Sequence, residues 1–235
     1  MSEFHRIDVA GGETVVAVSH DAGADRWLVF CHGLVSDKSG SYERRAERAV
    51  EAGWNAVRFD ARGCGDADGD FAESTLDSRL ADLAAVVDHF DLPSYACFGS
   101  SFGAKVALHA AASDERVTGV VGRAPVTYTR TVEPARAAVA ASGRCEVGDG
   151  IHVDARFFDS LDRHPFEPTA AAIDVPVALV HGGADDVVAV EDSFEAAQEL
   201  GGDVLLASLV DEGHLFSPGA EERLLELTFA WLDGV

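Results

Sequence analysis

Lysine is nearly absent from this sequence, and acidic residues far outnumber basic ones. Lys38 and Lys105 are the only lysines among 18 basic residues, against 41 aspartates and glutamates in a chain of 235 residues. The formal net charge of -23 predicts repulsion from nucleic acid and from anionic membranes, because both carry negative charge themselves. The acids are scattered over the whole length, which favours a solvated surface over an acidic binding tract. We therefore expect neither nucleic acid nor a membrane as a partner.

The same imbalance bears on the medium in which the protein works. Scarce lysine, abundant aspartate and a sequence pI near 4.5 are similar to the composition of proteins from salt-accumulating halophiles, where molar salt screens the repulsion between charges. This composition describes an environment and not an activity. We expect a halophilic protein whose fold loosens when the salt concentration is low.

Long apolar runs are also missing. Apolar residues make up 47% of the chain, yet no stretch of the sequence approaches the roughly 20 consecutive apolar residues that span a bilayer. The first residues, MSEFHRIDVAGGE, have neither the basic head nor the apolar run of a secretion signal. The sequence therefore predicts a cytoplasmic protein.

Cysteine is scarce and scattered. The chain has four cysteines and no CxxC pair, which argues against a zinc knuckle and against a dithiol redox site. Cys31 and Cys97 fall within apolar, strand-like runs, where a cysteine usually acts as a small buried hydrophobe. No metal site is predicted.

Strand and helix patterns alternate along the chain. Short runs rich in β-branched or aromatic residues predict eight strands, namely FHRIDV, TVVAVS, RWLVFC, NAVRFD, YACF, VTGVVG, PVALVH and DVLLASL. From the third strand onward, helical spacing separates them, at about residues 40–52, 76–90, 102–112, 191–200 and 219–233. This alternation predicts an α/β fold, with a mostly parallel eight-stranded sheet and helices on both faces. The first two strands are predicted to form a hairpin at one edge, and residues 1–235 to form a single domain.

One interval, at about residues 126–174, breaks the alternation. It contains turn formers and two helix-like pieces, VEPARAAVAAS and ARFFDSLDR, but no obvious long strand. A connection of this length is rarely structureless. Because ligands of open parallel sheets bind beyond the carboxyl ends of the strands, we expect this interval to form a small lid over the site. Its phenylalanines either line an apolar pocket or fill the interior of the lid: Phe157, Phe158 and Phe166.

The segment CFGSSFGAK contains a candidate nucleophile. Residues 99–103 match G-x-S-x-G between a predicted strand and a predicted helix, which is the context that this motif requires. The serine of such a motif occupies a strained corner, and a Cβ two positions away on either side would collide with the strand or the helix. Ser101 has Gly99 and Gly103 at these positions, whereas Ser100 has phenylalanines. The spacing therefore predicts that Ser101 attacks and that Ser100 has a supporting role at most.

A serine hydroxyl is a weak nucleophile, so it needs a base and a group that orients the base. The chain order that accompanies this motif is serine, acid, histidine. Asp185 and Asp186 follow the predicted strand PVALVHG, and His214 follows the next strand, DVLLASL. Both loops leave the edge of the sheet at which Ser101 lies. We therefore predict His214 as the base and Asp185 as its orienting acid, with Asp186 as the alternative.

The other histidines are expected to have other roles. His32 and His181 each precede a glycine at the end of a strand, where a turn or core role is natural. His109 lies two helical turns after Ser101 and should point away from the site. Two more fall in the predicted lid, where they could touch substrate: His152 and His164.

Attack on a carbonyl creates an oxyanion, which needs preorganised backbone N–H donors. One donor is predicted at Phe102, the residue after the nucleophile. The second is expected from the loop after the third strand, VFCHGLVSDKSG, where a His32–Gly33 turn would direct the Leu34 N–H to the same point. Losing one such donor typically costs about 3 kcal/mol of barrier, so this loop should matter nearly as much as the base.

Five segments together resemble the α/β-hydrolase superfamily. In chain order, FCHGL, FDARGCGDADG, GSSFGA, VHGGADDVV and DEGHLF are similar to its oxyanion loop, its D-x-R-G-x-G turn, its nucleophile elbow, its HGxxD acid loop and its histidine loop. The resemblance runs from about residue 4 to residue 233 and implies the α/β-hydrolase fold. The turn has Asp66 where a serine or threonine is usual. By position, the resemblance implies the same functional residues: Ser101, Asp185, His214, Leu34 and Phe102.

We therefore expect a serine hydrolase that cleaves small carboxylic esters through an acyl-enzyme, with no metal or organic cofactor. A small chain with a short insertion before the acid strand is similar to carboxylesterases and to feruloyl-esterase-like enzymes. Dienelactone hydrolases have a cysteine nucleophile, which the serine here disfavours. Thioesterases and aminopeptidases or amidases use the same machinery and remain alternatives. A non-catalytic member that binds a ligand or partner is an alternative of a different class.

Overall fold

Strands and helices alternate along most of the chain. The computed structural model describes residues 2–148 and 150–235. The strands are β1 (Ser2–Asp8), β2 (Thr14–His20), β3 (Trp27–Cys31), β4 (Asn55–Asp60), β5 (Tyr95–Ser100), β6 (Val117–Arg123), β7 (Cys145–Gly148), β8 (Ile151–Val153), β9 (Val177–Gly182) and β10 (Val204–Leu209). The helices are α1 (Ser41–Glu51), α2 (Leu76–His89), α3 (Phe102–Ala111), α4 (Glu133–Ser142), α5 (Ala155–Arg163), α6 (Phe166–Ala171), α7 (Val190–Glu199) and α8 (Pro218–Leu232).

Eight of these strands form one sheet, in the order β1-β2-β4-β3-β5-β6-β9-β10. β1 and β2 form an antiparallel hairpin at one edge, and β2 is also antiparallel to β4. The remaining neighbours in this sheet are parallel. The structure confirms the predicted eight-stranded, mostly parallel sheet and its edge hairpin. It also makes β9 and β10 neighbours, so the loops that follow them leave the sheet side by side.

Helices cover both faces of the sheet. In β3, Val29 and Cys31 belong to the apolar cluster that α2, α3 and α7 share, whereas Leu28 and Phe30 belong to the cluster of α1 and α8. Successive residues of a strand point to opposite faces, so a strand buried on both sides reads as a continuous apolar run. No helix in the described parts of the chain is both long and apolar enough to cross a membrane.

The interval of residues 126–174, called the insertion below, connects β6 to β9. It contains α4, α5 and α6, together with a small antiparallel hairpin of β7 and β8. The helix-like pieces VEPARAAVAAS and ARFFDSLDR correspond to α4 and α5. The hairpin and α6 were not predicted, because strands of three or four residues and a helix of six residues are too short to show a clear period.

Candidate active site

Ser101 occupies a strained corner between β5 and α3. Its backbone has φ 53° and ψ −118°, in a region that costs a residue with a side chain about 1–3 kcal/mol. A Cβ at Gly99 would overlap the backbone of the first turn of α3, and a Cβ at Gly103 would overlap the backbone that ends β3. The Ser101 N–H donates to the carbonyl of Arg123, at 2.8 Å. Glycine on both sides and this hydrogen bond hold the hydroxyl at the carboxyl edge of the sheet.

Ser101, His214 and Asp185 form a continuous hydrogen-bonded chain. His214 Nε2 lies 3.1 Å from Ser101 Oγ, and His214 Nδ1 lies 2.8 Å from Asp185 Oδ2. Asp185 follows β9 and His214 follows β10, so the neighbouring strands bring the two loops together. The Asp185 side chain is fully enclosed, whereas Asp186 is exposed. The structure therefore brings together the three residues that the sequence favours and leaves Asp186 at the surface.

The Asp185 carboxylate is surrounded by donors. Its Oδ1 accepts the N–H groups of Val187 and Val188, each at 2.9 Å, and its Oδ2 contacts both His214 and His181. Burial acts to raise the pKa of Asp185, but the Val188 N–H, the His214 ring and the Val187 N–H together hold it below its ordinary value. Asp185 is therefore ionised at neutral pH and can hold the Nδ1–H of His214 in place.

His181 contacts Asp185 but does not take the place of His214 as the candidate base. Its Nε2 lies 3.0 Å from the carbonyl of Val188 and 3.1 Å from Asp185 Oδ2, and its Nδ1 lies 2.7 Å from Ser193 Oγ. A carbonyl only accepts, so Nε2 carries the proton and Nδ1 accepts from the Ser193 hydroxyl. Burial is the main cause that lowers the pKa of His181. The predicted core role is thus correct, but no pattern in the sequence indicated the contact with Asp185.

The loop after β3 lies directly against the nucleophile corner. A Cβ at Gly33 would stand 3.9 Å from Ser101 Cβ and 3.6 Å from the carbonyl of Ser100. Leu34 and Phe102 line the same cavity as Ser101. Phe102 is the first residue of α3, where a backbone N–H has no partner within the helix. Both predicted donor residues therefore lie beside the serine.

Arg79 holds the carbonyl side of this loop. It lies on α2, is 2% exposed, and donates to the carbonyls of His32, Gly33 and Leu34 at 3.3, 3.2 and 2.7 Å. In a trans peptide, the Gly33 carbonyl and the Leu34 N–H share a plane and point in opposite directions. Fixing this carbonyl toward α2 therefore turns the Leu34 N–H away from α2.

Sequence reasoning missed Arg79, although a signal exists. Arg79 falls between Leu76 and Leu83 at helical spacing, on the stripe that should face the core. A cation in that position is rarely left without partners.

His32 ties the same loop to the end of β4. Its Nε2 accepts the N–H of Ala61 at 3.1 Å, and its Nδ1 lies 2.8 Å from the carbonyl of Gly33. Burial, followed by the neighbouring Arg79 cation, lowers the pKa of His32 to about 3. The ring is therefore neutral, and the turn role predicted for it agrees with these contacts.

Asp66 has a structural partner that the sequence did not suggest. Lys38 Nζ donates to Asp60 and to Asp66, each at 2.6 Å. The Lys38 N–H also donates to Asp60, at 2.6 Å. The acid that replaces the usual serine or threonine thus pairs with one of the two lysines and links the turn after β4 to the loop after β3.

A cavity of about 870 Å³ opens above Ser101. Its walls come from the loop after β3, the loops after β9 and β10, and the insertion. The insertion contributes mainly apolar side chains to the lining: Val126, Thr131, Val132, Ala135 and Val147. At the rim, Val35, Val187 and Leu215 are 49%, 54% and 84% exposed. The cavity is therefore lined in large part by aliphatic side chains and is accessible to solvent.

The aromatic residues of the insertion do not line this cavity. Phe157, Phe158 and Phe166 are 2–3% exposed, and the Phe157 ring lies 5.4 Å from that of Phe102. Of the two roles considered for them, filling the interior is correct and forming the pocket wall is wrong. The histidines at positions 109, 152 and 164 do not line the cavity either.

Ser100 is buried beside Ser101 and also lines the cavity. Its Oγ accepts a hydrogen bond from Arg45 at 3.0 Å, which agrees with the supporting role predicted for it. In the described part of the chain, no cluster of three or more His, Cys, Asp or Glu side chains is arranged to hold a metal ion.

Comparison with protein families and curated proteins identifies relatives. The sequence model of a family described as serine aminopeptidase, S33, matches residues 22–147, more than half of the chain. Among curated proteins, the mitochondrial palmitoyl-protein thioesterase ABHD10 of Homo sapiens is 26% identical over 221 residues, which cover 88% of this chain and 72% of that protein.

Solved structures superpose on nearly the whole length of this chain. A candidate hydrolase from Agrobacterium vitis S4 superposes with a TM-score of 0.81 at 26% identity and covers 98% of each chain. Est1E from Butyrivibrio proteoclasticus, solved with ferulic acid bound, superposes with a TM-score of 0.85 at 19% identity and covers 97% of this chain and 99% of its own. These likenesses confirm the predicted α/β-hydrolase fold.

Proposed function

Because the chain belongs to the serine aminopeptidase S33 family of α/β-hydrolases, we propose that it is a serine hydrolase that cleaves carboxylic esters through an acyl-enzyme. The observation that carries this proposal is the hydrogen-bonded chain from the Ser101 hydroxyl through His214 to Asp185. A serine held on a strained corner with a base at 3.1 Å has the geometry that nucleophilic catalysis requires.

In the first half of the reaction, Ser101 Oγ attacks the carbonyl carbon of the ester, and His214 Nε2 takes the hydroxyl proton. The ionised Asp185 holds the opposite ring nitrogen and stabilises the imidazolium that forms. Collapse of the tetrahedral intermediate breaks the bond to the alcohol oxygen, and His214 returns the proton to this leaving group. The acyl group then remains on Ser101.

The negative charge of the tetrahedral intermediate falls on the former carbonyl oxygen. We assign its stabilisation to the N–H groups of Phe102 and Leu34, with Arg79 fixing the peptide plane that carries the second donor. Fixed donors need no reorganisation during the reaction, which is the source of their effect. In the second half of the reaction, His214 activates a water molecule that releases the acid and restores Ser101.

Labelling with a fluorophosphonate probe tests this proposal directly. In molar KCl, the wild-type protein should be labelled on Ser101, and the Ser101→Ala variant should be folded, unlabelled and inactive. Ser100→Ala is the matched control, because it removes the neighbouring hydroxyl and should retain most of the activity on a neutral ester. A folded wild-type protein that resists the probe would refute the mechanism, and inactivity of Ser100→Ala with activity of Ser101→Ala would reverse the assignment.

A thioesterase is the second candidate. The human relative is named a palmitoyl-protein thioesterase, and the aliphatic cavity lining would accept an acyl chain. The family description names an aminopeptidase, so amides are the third substrate class to test. Rates on p-nitrophenyl esters of graded chain length, acyl thioesters and aminoacyl amides separate the three, and a folded protein with no activity on any of them would favour a binding role.

For the location, we infer the cytoplasm of a cell with high internal salt. The composition supports this inference, whereas the human relative is named as mitochondrial. Fractionation of the source cells would test it, and recovery of the protein with an organelle or outside the cell would refute it.

A further inference from the structure

One wall of the cavity above Ser101 is basic. Arg44, Arg45 and Arg123 line it, and within the described residues Glu221 is the single acid that does so. Over the whole chain the proportion is the reverse, with 41 acids against 18 basic residues. The positive charge beside the candidate nucleophile is therefore a local feature that the composition does not produce.

Two of these arginines are neutralised by carboxylates. Arg45 donates from Nε to Glu221 at 2.6 Å and from Nη2 to the same carboxylate at 3.0 Å. Arg44 forms an ion pair with Glu222 at the surface. The bidentate pair with Arg45 occupies both oxygens of Glu221, so the charge of this acid is already balanced by Arg45.

Arg123 differs from both. It ends β6, is 5% exposed, donates to the carbonyl of His214, and lies over the Phe216 ring at 4.5 Å. Among the described residues, no carboxylate lies within 4.0 Å of its guanidinium, and its Nε is buried without a hydrogen-bond partner. A buried cation without an adjacent anion is costly, so binding an anion at this place would be favourable.

We propose that this wall is a carboxylate-binding subsite, and that the preferred substrates are esters that carry a carboxylate. The proposal rests on the ester hydrolysis proposed above. Arg123 offers charged N–H donors. Ser100, whose Oγ accepts from Arg45 at 3.0 Å, keeps its own hydroxyl proton to donate.

The position of the subsite limits the length of the substrate. Ser100 precedes Ser101 in the chain, and the carbonyl of Arg123 accepts the N–H of Ser101 at 2.8 Å. A carboxylate bound here lies close to the carbonyl under attack. The ester should therefore be a monoester of a short dicarboxylic acid, or an ester of a short hydroxy acid, with the charge a few carbons from the scissile bond.

Two pairs of esters test the proposal and distinguish a monoester of a dicarboxylic acid from an ester of a hydroxy acid. Monomethyl glutarate is compared with methyl 5-methylhexanoate, and 3-acetoxypropanoate with 3-methylbutyl acetate, because in each pair an isopropyl group replaces the carboxylate with little change of shape. At fixed ionic strength, wild-type kcat/KM should favour the charged member of at least one pair. The first pair places the charge on the acyl side of the ester and the second on the alcohol side.

The Arg123→Gln variant tests the residue. It should lower the charged-to-neutral ratio of kcat/KM by about tenfold or more, as expected for losing a charge-assisted hydrogen bond. The ratio is the readout because Arg123 also contacts the His214 loop, and a displacement of this loop would affect both esters. Arg116→Gln is the matched control, since Arg116 pairs with Asp88 and Asp114 and does not line the cavity.

Several outcomes would overturn the inference. If neutral esters are hydrolysed but neither charged ester is preferred, or if Arg123→Gln keeps the wild-type ratio, the subsite does not exist and the ester hydrolysis stands. If no ester is hydrolysed and the probe labels nothing, the proposed function fails and the subsite with it. If Arg123→Gln does not fold, inhibition of the wild type decides: glutarate should inhibit neutral-ester hydrolysis at lower concentration than neutral glutaramide, and equal inhibition would overturn the inference.

Discussion

Arg79 shows how a single buried residue can influence a site whose cavity it does not line. Its guanidinium reaches three successive carbonyls of the loop that carries Leu34. The His32 ring also contacts the Gly33 carbonyl, at 2.8 Å, but among the described side chains Arg79 alone is bonded to all three carbonyls. The orientation of the Leu34 N–H therefore depends in part on a residue in the first turn of α2.

We expect Arg79→Met to lower kcat on a neutral ester by about 10²-fold, the usual effect of losing one oxyanion donor, and to change KM little. Arg79→Lys should recover only part of this loss, because an ammonium does not have the planar fork that reaches adjacent carbonyls. Steady-state kinetics measure both parameters, and a thermal melt establishes that each variant is folded. A folded Arg79→Met protein with wild-type kcat would contradict the role of Arg79.

The candidate site residues predicted from the sequence differ from the missed ones in how the fold positions them. Ser101, Asp185 and His214 follow predicted strands, so the topology alone places them at one edge of the sheet. Arg45 could not be found in this way, because its partner Glu221 is 176 positions distant. Contacts between buried charges depend on how helices pack across the sheet, and no local pattern encodes them.

Among the elements, the insertion contributes an apolar part of the cavity lining. Ala135 on α4 lines the cavity, whereas Ala137 on the same helix is exposed and does not. The two positions form a matched pair on one helix. They allow the effect of filling the cavity to be separated from the effect of a larger side chain on α4.

Ala135→Phe should fill part of the cavity and lower kcat/KM for a long-chain ester at least about tenfold more than for an acetate, since one methylene in an apolar pocket is worth about 1–3 kcal/mol. Ala137→Phe should leave this ratio unchanged. The measurement is kcat/KM across p-nitrophenyl esters of graded chain length. If both variants show the same chain-length profile, the insertion does not form the acyl wall.

Helix α3 brings His109 into the interior, with its Nδ1 at 2.8 Å from the Lys105 carbonyl. Burial, followed by the Lys105 cation, lowers the pKa of His109 from 6.5 to about 4. Between these pH values the unfolded chain binds a proton that the folded chain does not, so the free energy of unfolding falls as the pH falls. This loss amounts to up to about 3 kcal/mol.

His109→Gln lacks this titration, so the stability difference between the wild type and the variant should change between pH 7 and pH 4.5. Urea unfolding of both proteins in the same salt measures it. Carboxylates titrate in this range as well, but they are common to both proteins and cancel in the difference. Parallel stability curves would show that His109 does not couple folding to pH.

The sequence predicted the bounds of long helices well and missed the short strands and the short helix. The five helices predicted outside the insertion agree with α1, α2, α3, α7 and α8 to within one residue at each end. The hairpin of β7 and β8 and the helix α6 were missed. Long amphipathic segments repeat their period several times, whereas a strand of three residues does not complete a pattern.

Over the whole molecule, the formal net charge of -23 produces long-range repulsion between the acidic residues. Repulsion between the acids destabilises the compact state, and molar salt shortens the Debye length to about 3 Å. We expect the melting temperature to rise between 0.1 M and 2 M KCl. A neutral osmolyte at equal osmolality is the control and should raise it less, whereas a melting temperature indifferent to KCl would contradict a salt-adapted fold.

The sequence predicted the number of strands in the main sheet and its mostly parallel character, but not the full order of the strands. The order β1-β2-β4-β3-β5-β6-β9-β10 places β3 between β4 and β5, although β4 follows β3 in the chain. The alternation of strands and helices can be predicted from the residue pattern of each short segment. Lateral order depends on which helix covers which face, and therefore on contacts between distant segments.

The separation of the site residues along the chain has a consequence for how activity first arises. Ser101 and His214 lie 113 positions apart, and His214 follows β10, the edge strand next to β9. During synthesis or refolding, the nucleophile corner can form long before its base arrives. Hydrolysis should therefore begin only when β10 docks, and a refolding chain should regain sheet structure before it regains turnover.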